Sequence, residues 1–169
     1  SCTTTFGLVK TGLLCNQGQD LVGTLRTIDI GIPKTVSRSK SLSTFQIEQE
    51  DVRRALPQRP STANKYSVGK VFILAGATGY TGAAYLCAMA ALRAGAGAVM
   101  LGIPEAVYTV VARRLAEVIV KPFPSTKEGT IALSSLGEIE EKLRWADAAV
   151  LGPGLSTNAE TQEVIAAIL

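Results

Sequence analysis

Two glycine-rich segments are the parts of this chain best suited to contact a ligand. Residues 76–82 are GATGYTG, and residues 152–156 are GPGLS. Each segment follows a short apolar run and precedes a helical pattern, so each is predicted to join the carboxyl end of a strand to the amino-terminus of a helix. Backbone N–H groups are unpaired at such a terminus and the helix dipole is positive there, which favours anionic or polar ligand groups. Two such loops on one rim of a parallel sheet predict a shared ligand site.

The spacing of these glycines excludes two common phosphate-binding motifs. Residues 76–82 have glycine at every third position, which differs from G-x-G-x-x-G, and they lack the lysine of a Walker P-loop. Glycine lets the backbone touch a ligand without interference from a Cβ atom. The pattern leaves one alternative open, namely a tight turn in which glycine serves only the close packing of helix on sheet.

Few residues are candidates for acid–base chemistry. The chain contains no histidine, which excludes a Ser-His-Asp triad, a His-based metal site and a His general base within these residues. We expect Asp147, at the start of an apolar run, to be a turn or capping residue. Glu105 follows Pro104 in a predicted first helical turn, where a carboxylate suits the dipole. Glu128 lies in a predicted loop without an assigned role, and the three cysteines fit no metal site or disulfide framework.

The composition excludes several classes of partner. The net charge is +3 and the Lys and Arg residues are scattered, so neither nucleic acid nor an anionic membrane is an expected partner. Lys34, Arg38 and Lys40 lie among Ser and Thr and indicate a solvated linker. No apolar run reaches the roughly 18 residues of a membrane helix and no signal peptide opens the chain, so we expect a cytoplasmic protein.

Alternating strands and helices are predicted to position the two glycine segments. Apolar strands are predicted at residues 71–75, 98–101 and 148–151, with a short strand at 118–120. Helices are predicted at 81–94, 105–115, 136–144 and 158–169, the last capped by Thr157 or Asn158. The first helix is apolar nearly all round, which predicts a buried helix. This order indicates βαβ units, with the three apolar strands adjacent and parallel in one sheet.

The amino-terminal residues are predicted to form a separate unit. Residues 1–33 contain one half-buried strand at 21–30, which we expect to stay outside the sheet of the later strands. A linker at 34–46 follows, and then a helix at 47–56 that is capped by Ser43 or Thr44 and ends before Pro57. The second domain is predicted to span 47–169. Because its last helix stops without a cap, we expect the chain to be a fragment.

Four segments carry a resemblance to a known enzyme family. They are KYSVGKVFILAGATGYTGAA (65–84), ALRAGAG (91–97), IPE (103–105) and LGPGL (151–155). In this order and at this spacing they resemble the ADP/ATP-dependent NAD(P)H-hydrate dehydratases. The resemblance implies a ribokinase-like three-layer α/β/α fold with a mainly parallel sheet, of which the amino-terminal part is present. It also implies repair of hydrated NADH or NADPH (NADHX or NADPHX): ADP or ATP, with Mg²⁺, phosphorylates the ring hydroxyl, phosphate leaves, and NAD(P)H is restored.

The resemblance also implies which residues contact the substrate. Gly82, Ala83 and Gly154 would touch the hydrated nucleotide, and the further candidates are Gly76, Thr81 and Pro153. The nucleotide-phosphate contacts and the G-T-G-D catalytic motif of the family lie downstream of Leu169, so no catalytic residue is expected within this chain and we expect the chain alone to be inactive. Where the family often has His-Lys-Gly, this chain has Asn64, Lys65 and Tyr66.

A second resemblance concerns the amino-terminal unit. Residues 5–12 (TFGLVKTG) and 28–33 (IDIGIP) are similar to the end of an NAD(P)H-hydrate epimerase domain. This implies a bifunctional repair enzyme, with an isomerase before the lyase, and a small-molecule nucleotide as partner; we expect a homo-oligomer. The alternatives are another ribokinase-like kinase for a vitamin or sugar, which the downstream sequence would distinguish, and a non-catalytic nucleotide-binding module, against which an intact G-T-G-D motif would argue.

Overall fold

A computed structural model describes residues 1–39, 41–56, 61–65 and 67–169. The chain divides into two compact units, Ser1–Pro57 and Gln58–Leu169. Two predicted features lie outside the described residues, namely the basic linker residue Lys40 and the family position at Tyr66, and so does Pro57, which follows the helix predicted at 47–56. The assignment of residues 1–33 and 47–169 to two functional domains stays a prediction.

The amino-terminal unit contains a two-stranded parallel sheet. Its strands are β1 (Cys2–Phe6) and β2 (Thr24–Ile28), paired from Cys2 opposite Thr24 to Phe6 opposite Ile28. A 3₁₀ turn and helix α1 connect the strands, and two helices follow: Thr11–Leu13, α1 (Gln17–Val22), α2 (Lys34–Ser37) and α3 (Gln49–Ala55). Neither strand joins the second sheet, as predicted for this region.

The structure corrects four predictions in this unit. The strand predicted at 21–30 begins only at Thr24, because Leu21 belongs to α1 and Gly23 (φ +58°) ends that helix. Strand β1 was not predicted, since its sequence CTTTF has no apolar alternation. The α3 cap is Glu48 rather than Ser43 or Thr44, and Asp51 accepts the Glu48 N–H at 2.9 Å in a capping box. The predicted linker also contains α2.

The carboxy-terminal unit contains four parallel strands in the order β5-β4-β3-β6. The strands are β3 (Lys70–Leu74), β4 (Ala98–Pro104), β5 (Ile119–Phe123) and β6 (Ala148–Leu151). The helices are α4 (Thr81–Arg93), α5 (Tyr108–Ala112), α6 (Leu136–Trp145) and α7 (Ala159–Ile168), with 3₁₀ turns at Glu105–Val107 and Leu133–Ser135. The predicted adjacency and parallel direction of the three apolar strands are confirmed.

Alternate residues of β3 support two separate hydrophobic cores. Ile73 packs with Val99, Leu101 and the small side chains of α4, whereas Phe72 and Leu74 pack with the residues of α6 and α7. Successive side chains of a strand point to opposite faces, so one short apolar strand supplies both cores. Helices on both faces of the sheet make this unit a three-layer α/β/α arrangement.

Two elements predicted as buried are partly exposed. Within α4 only Ala84 and Ala88 are buried, and Leu86 is 66% exposed. The apolar composition of the helix does not indicate which of its faces are covered. In β6, Ala148, Ala149 and Val150 are exposed, since among the described residues only β3 pairs with this strand. The helix predicted at 105–115 is a 3₁₀ turn followed by α5, which ends at Ala112.

Candidate functional site

The first glycine loop joins β3 to α4. Gly76 (φ +82°) and Gly79 (φ +86°) occupy the left-handed region that favours glycine. A Cβ atom on Gly76 would lie 3.0 Å from the Cβ of Ala84 in α4. Glycine therefore has a structural reason at both positions: the positive φ of a tight turn at each, and also the close approach of helix to strand at Gly76.

Gly82 differs from the other glycines of this loop. It lies in the first turn of α4, has no positive φ, and an added Cβ atom would meet nothing within 4 Å. Glycine in a helix costs up to about 1 kcal/mol relative to alanine. Neither backbone conformation nor packing requires glycine at this position, so its absent side chain leaves the surface open to a close ligand.

The amino-terminus of α4 also lacks a side-chain cap. Tyr80 is the cap residue, and its side chain makes no capping hydrogen bond in the described structure. The first N–H groups of an α-helix have no partner within the helix. The amides at the start of α4 therefore offer donors to an anionic or polar group, beside the open position of Gly82.

The second glycine loop joins β6 to α7 and contains three residues with positive φ. These are Gly152 (+94°), Gly154 (+74°) and Ser156 (+77°), and the Gly152–Pro153 peptide bond is cis. A positive φ is uncommon for a residue other than glycine, so Ser156 adopts a strained conformation. Asn158 caps α7, as predicted, because its side chain accepts a hydrogen bond from the Thr161 N–H at 3.3 Å.

The two glycine loops contact each other directly. Strands β3 and β6 are neighbours, and the Gly152 N–H donates to the Leu74 carbonyl at 2.8 Å. The Gly76 N–H donates to the Pro153 carbonyl at 2.9 Å. A Cβ atom on Gly154 would lie 2.8 Å from the Tyr80 Cβ. The structure thus brings the six predicted contact residues to one stretch of the sheet rim; their role in binding stays a prediction.

A third segment, missed from the sequence, reaches both loops. Residues 125–131 follow β5 as a hairpin, which we call the rim hairpin, closed by an antiparallel bridge between Ser125 and Ile131. The Thr78 N–H of the first loop donates to the Gly129 carbonyl at 3.0 Å. The Asn158 side-chain amide donates to the Glu128 carboxylate at 3.3 Å. The turn sequence TKEGT, with glycine near its end, is the signal that could have indicated the hairpin.

The other acidic candidates lie elsewhere. Asp147 lies at the amino-terminal ends of the strands, away from the glycine loops. Its carboxylate accepts the Lys70 N–H at 2.8 Å and lies 3.9 Å from the Lys70 ammonium. Asp147 thus joins the start of β6 to the start of β3, whereas a turn or capping role was predicted. Glu105 is exposed in the first turn of the 3₁₀ segment after β4.

Two side chains outside the two glycine loops have a shifted pKa. Burial raises the pKa of the Cys87 thiol in α4. A hydrogen bond from Lys142 lowers the pKa of the exposed Glu141 carboxyl in α6. In the described part of the chain, no three His, Cys, Asp or Glu side chains are grouped so as to hold a metal ion. No described helix is both long enough and apolar enough to cross a membrane.

The segment before β3 explains one further glycine of the resembling segments. Asn64 and Ser67 exchange hydrogen bonds, with the Ser67 N–H donating to the Asn64 side chain at 3.1 Å. A Cβ atom on Gly97 would collide with the Lys65 carbonyl oxygen of this segment. Gly97 thus permits close approach of two backbone segments at the start of β4.

Comparison with known proteins agrees with this architecture. Residues 71–169 match the NAD(P)H-hydrate dehydratase (Carb_kinase) family. The chain belongs to this family. The bifunctional NAD(P)H-hydrate repair enzyme Nnr of Moorella thermoacetica is 34% identical over 99% of this chain, and the alignment spans 32% of that protein. The chain thus covers about a third of the length of this curated relative, and the sequence-based recognition of the family is confirmed.

Two solved structures support the predicted fold class. A ribokinase-like superfamily protein of Enterococcus faecalis is 24% identical, with a TM-score of 0.56 over 68% of this chain and 37% of that chain. The ADP/ATP-dependent NAD(P)H-hydrate dehydratase of Bacillus subtilis, co-crystallised with ATP/Mg²⁺, is 26% identical, with a TM-score of 0.53 over 71% of this chain and 40% of that chain. The ribokinase-like α/β fold is therefore confirmed for this part of the chain.

Proposed function

We propose that this chain belongs to an enzyme that restores NADH or NADPH from its hydrate with ADP or ATP, and that the glycine loops bind the hydrated nucleotide. The observation that carries the proposal is Gly82: in a chain of the dehydratase family, it leaves the start of α4 open where neither turn nor packing needs glycine. The alternative of a vitamin or sugar kinase has no corresponding observation in its favour.

The proposed binding mode follows from the geometry of the two loops. The uncapped amides at the start of α4 donate to polar or anionic groups of the hydrate, and Gly82 and Ala83 let the ligand approach the backbone. Gly154 lies beside Tyr80 and Ala83, so it forms the adjoining part of the same surface. The hydrogen bond between Gly76 and Pro153 joins the two loops, and Thr81 flanks Gly82.

The chemical step is assigned to residues other than those described. The described residues include no histidine, and the acidic residues Asp147 and Glu128 are held in hydrogen bonds with Lys70 and Asn158. We infer that ADP or ATP acts with Mg²⁺. Because the described residues offer no group of three metal ligands, the metal has no assigned site here and we derive no step through it.

We infer further that the intact protein is a bifunctional repair enzyme. Residues 1–33 would end an epimerase domain, residues 34–46 would link it to the dehydratase, and residues 47–169 would begin the dehydratase domain. The support is that the alignment with a bifunctional relative runs through 99% of this chain.

We also propose that the protein functions in the cytoplasm. The three free cysteines are consistent with the reducing conditions of that compartment. We propose further that the protein is a homo-oligomer, and a measurement of its oligomer size tests this.

The proposed function is tested with the full-length protein that contains this chain. We expect hydrated NADH to regain the absorbance of NADH when ADP or ATP is present with Mg²⁺, and to remain unchanged without a nucleotide. Consumption of ATP with a vitamin or sugar, but no recovery of NADH, would favour the kinase alternative. Absence of recovery with both nucleotides would contradict the dehydratase assignment.

A further inference from the structure

We propose that Glu128 is a positioning residue, which keeps the two glycine loops in their binding arrangement through the rim hairpin. This inference rests on the proposed function, because the loops are taken to bind the hydrated nucleotide. Glu128 reaches the second loop through Asn158, and its neighbour Gly129 reaches the first loop through Thr78. The hairpin is thus one structural element that contacts both halves of the site.

The base of the hairpin is fixed by buried hydroxyl groups. The Thr161 hydroxyl of α7 donates to the Ile131 carbonyl at 2.8 Å and lies 3.0 Å from the Thr130 hydroxyl. The Ser135 hydroxyl donates to the Pro124 carbonyl at 3.0 Å. The Thr161 bonds fasten the base of the hairpin to α7, and the Ser135 bond joins the 3₁₀ turn that follows the hairpin to the residue that precedes it. A change at the exposed tip therefore leaves the base in place.

The contact with the first loop depends on glycine at the tip. Gly129 has a φ of +73°, and a Cβ atom there would collide with the Thr78 hydroxyl and lie 3.4 Å from the Ala106 Cβ. The tip therefore lies over the end of β4, against the loop that follows β3. Only the backbone carbonyl of Gly129 binds the Thr78 N–H, so this contact holds as long as the tip stays in position.

The contact with the second loop passes through one side chain. The Asn158 side chain caps the Thr161 N–H with its oxygen and donates its amide hydrogen to Glu128, so the amide orientation suits both partners. The Asn158 N–H also donates to the Ser156 hydroxyl at 3.3 Å, next to the strained φ of Ser156. Without the Glu128 acceptor, the second glycine loop would lose one of the contacts that keep it in place. The remaining contacts would have to maintain the strained conformation of Ser156.

The first experiment measures steady-state kinetics of the full-length protein with hydrated NADH. We expect Glu128→Ala to raise the KM for the hydrate about five- to tenfold with kcat changed less than about twofold, as loss of one hydrogen bond that supports binding would give. Glu128→Gln retains an acceptor oxygen and is expected to restore the wild-type KM. Glu163→Ala, at an exposed glutamate of α7 without a hydrogen bond among the described residues, is the matched control and should leave KM unchanged.

The second experiment measures hydrogen exchange of the same variants without ligand. We expect the peptides with the Thr78 and Asn158 amides to exchange at least about threefold faster in Glu128→Ala, and unchanged in Glu163→Ala. If the wild-type protein does not restore NADH, the proposed function fails, and the exchange result alone decides whether Glu128 positions the loops. Unchanged exchange overturns the positioning role, and so does an unchanged KM in an active enzyme.

Discussion

At the scale of single residues, the glycines of the site fall into two physical classes. Gly76 and Gly154 have positive φ and close neighbours, so glycine is required there by the backbone. Replacement of Gly154 by valine would strain the loop and meet Tyr80, so any loss of binding would be mixed with a loss of structure. Gly82 has neither constraint, which makes it the position where an added side chain reports on the ligand alone.

We therefore predict that Gly82→Ala weakens binding of the hydrated nucleotide in the full-length protein without loss of stability. A methyl group at a surface touched by ligand should lower affinity at least about tenfold, whereas alanine in a helix is up to about 1 kcal/mol more favourable than glycine. The matched control is Gly137→Ala, since Gly137 is also the second residue of a helix with nothing within 4 Å of an added Cβ atom. Calorimetric titration with NADHX and a melting curve are the measurements. Equal affinity of the two variants would exclude Gly82 from the site.

At the scale of elements, the rim hairpin and α7 are coupled by the buried Thr161 hydroxyl. We predict that Thr161→Val destabilises the full-length protein by about 1–3 kcal/mol, because the Ile131 carbonyl loses a donor inside the protein. Thr109→Val, at an exposed threonine of α5, is the control and should change stability by less than about 0.5 kcal/mol. Urea unfolding measures both. Equal effects of the two substitutions would show that the buried hydroxyl does not anchor the hairpin.

The elements also show where pattern-based prediction succeeds and where it fails. The unbroken apolar runs of β3 and β4 predicted parallel strands correctly, because side chains buried on both faces of a sheet must be apolar. The same apolar pattern wrongly predicted full burial of β6 and α4. It indicates which residues tolerate burial, but not which neighbouring elements cover them. The turn residues of the hairpin are a local signal, but no local signal specifies that Glu128 contacts Asn158, which lies 30 residues away in the chain.

At the scale of the whole molecule, activity is expected to depend on more than these 169 residues. The chain covers 32% of the length of a bifunctional relative, and the described residues include the proposed binding loops but no assigned acid, base or metal site. We predict that the chain purified alone does not restore NADH from its hydrate with ADP or ATP, whereas the full-length protein does. Circular dichroism is the control for folding of the chain. Turnover by the chain at a rate near that of the full-length protein would mean that the chemistry resides in the residues described here.

The sequence by itself determined the family, the parallel α/β class and the two glycine loops, because those depend on local chemistry: apolar runs, glycine spacing and helix starts. Only the tertiary structure decided that Gly76 donates to Pro153 and that Gly154 lies against Tyr80. Only the tertiary structure decided, too, that neither packing nor backbone conformation requires glycine at position 82. It also decided that the rim hairpin joins both loops. These facts depend on distances between segments far apart in the chain, which the parallel order of β3, β4 and β6 sets and no local pattern records.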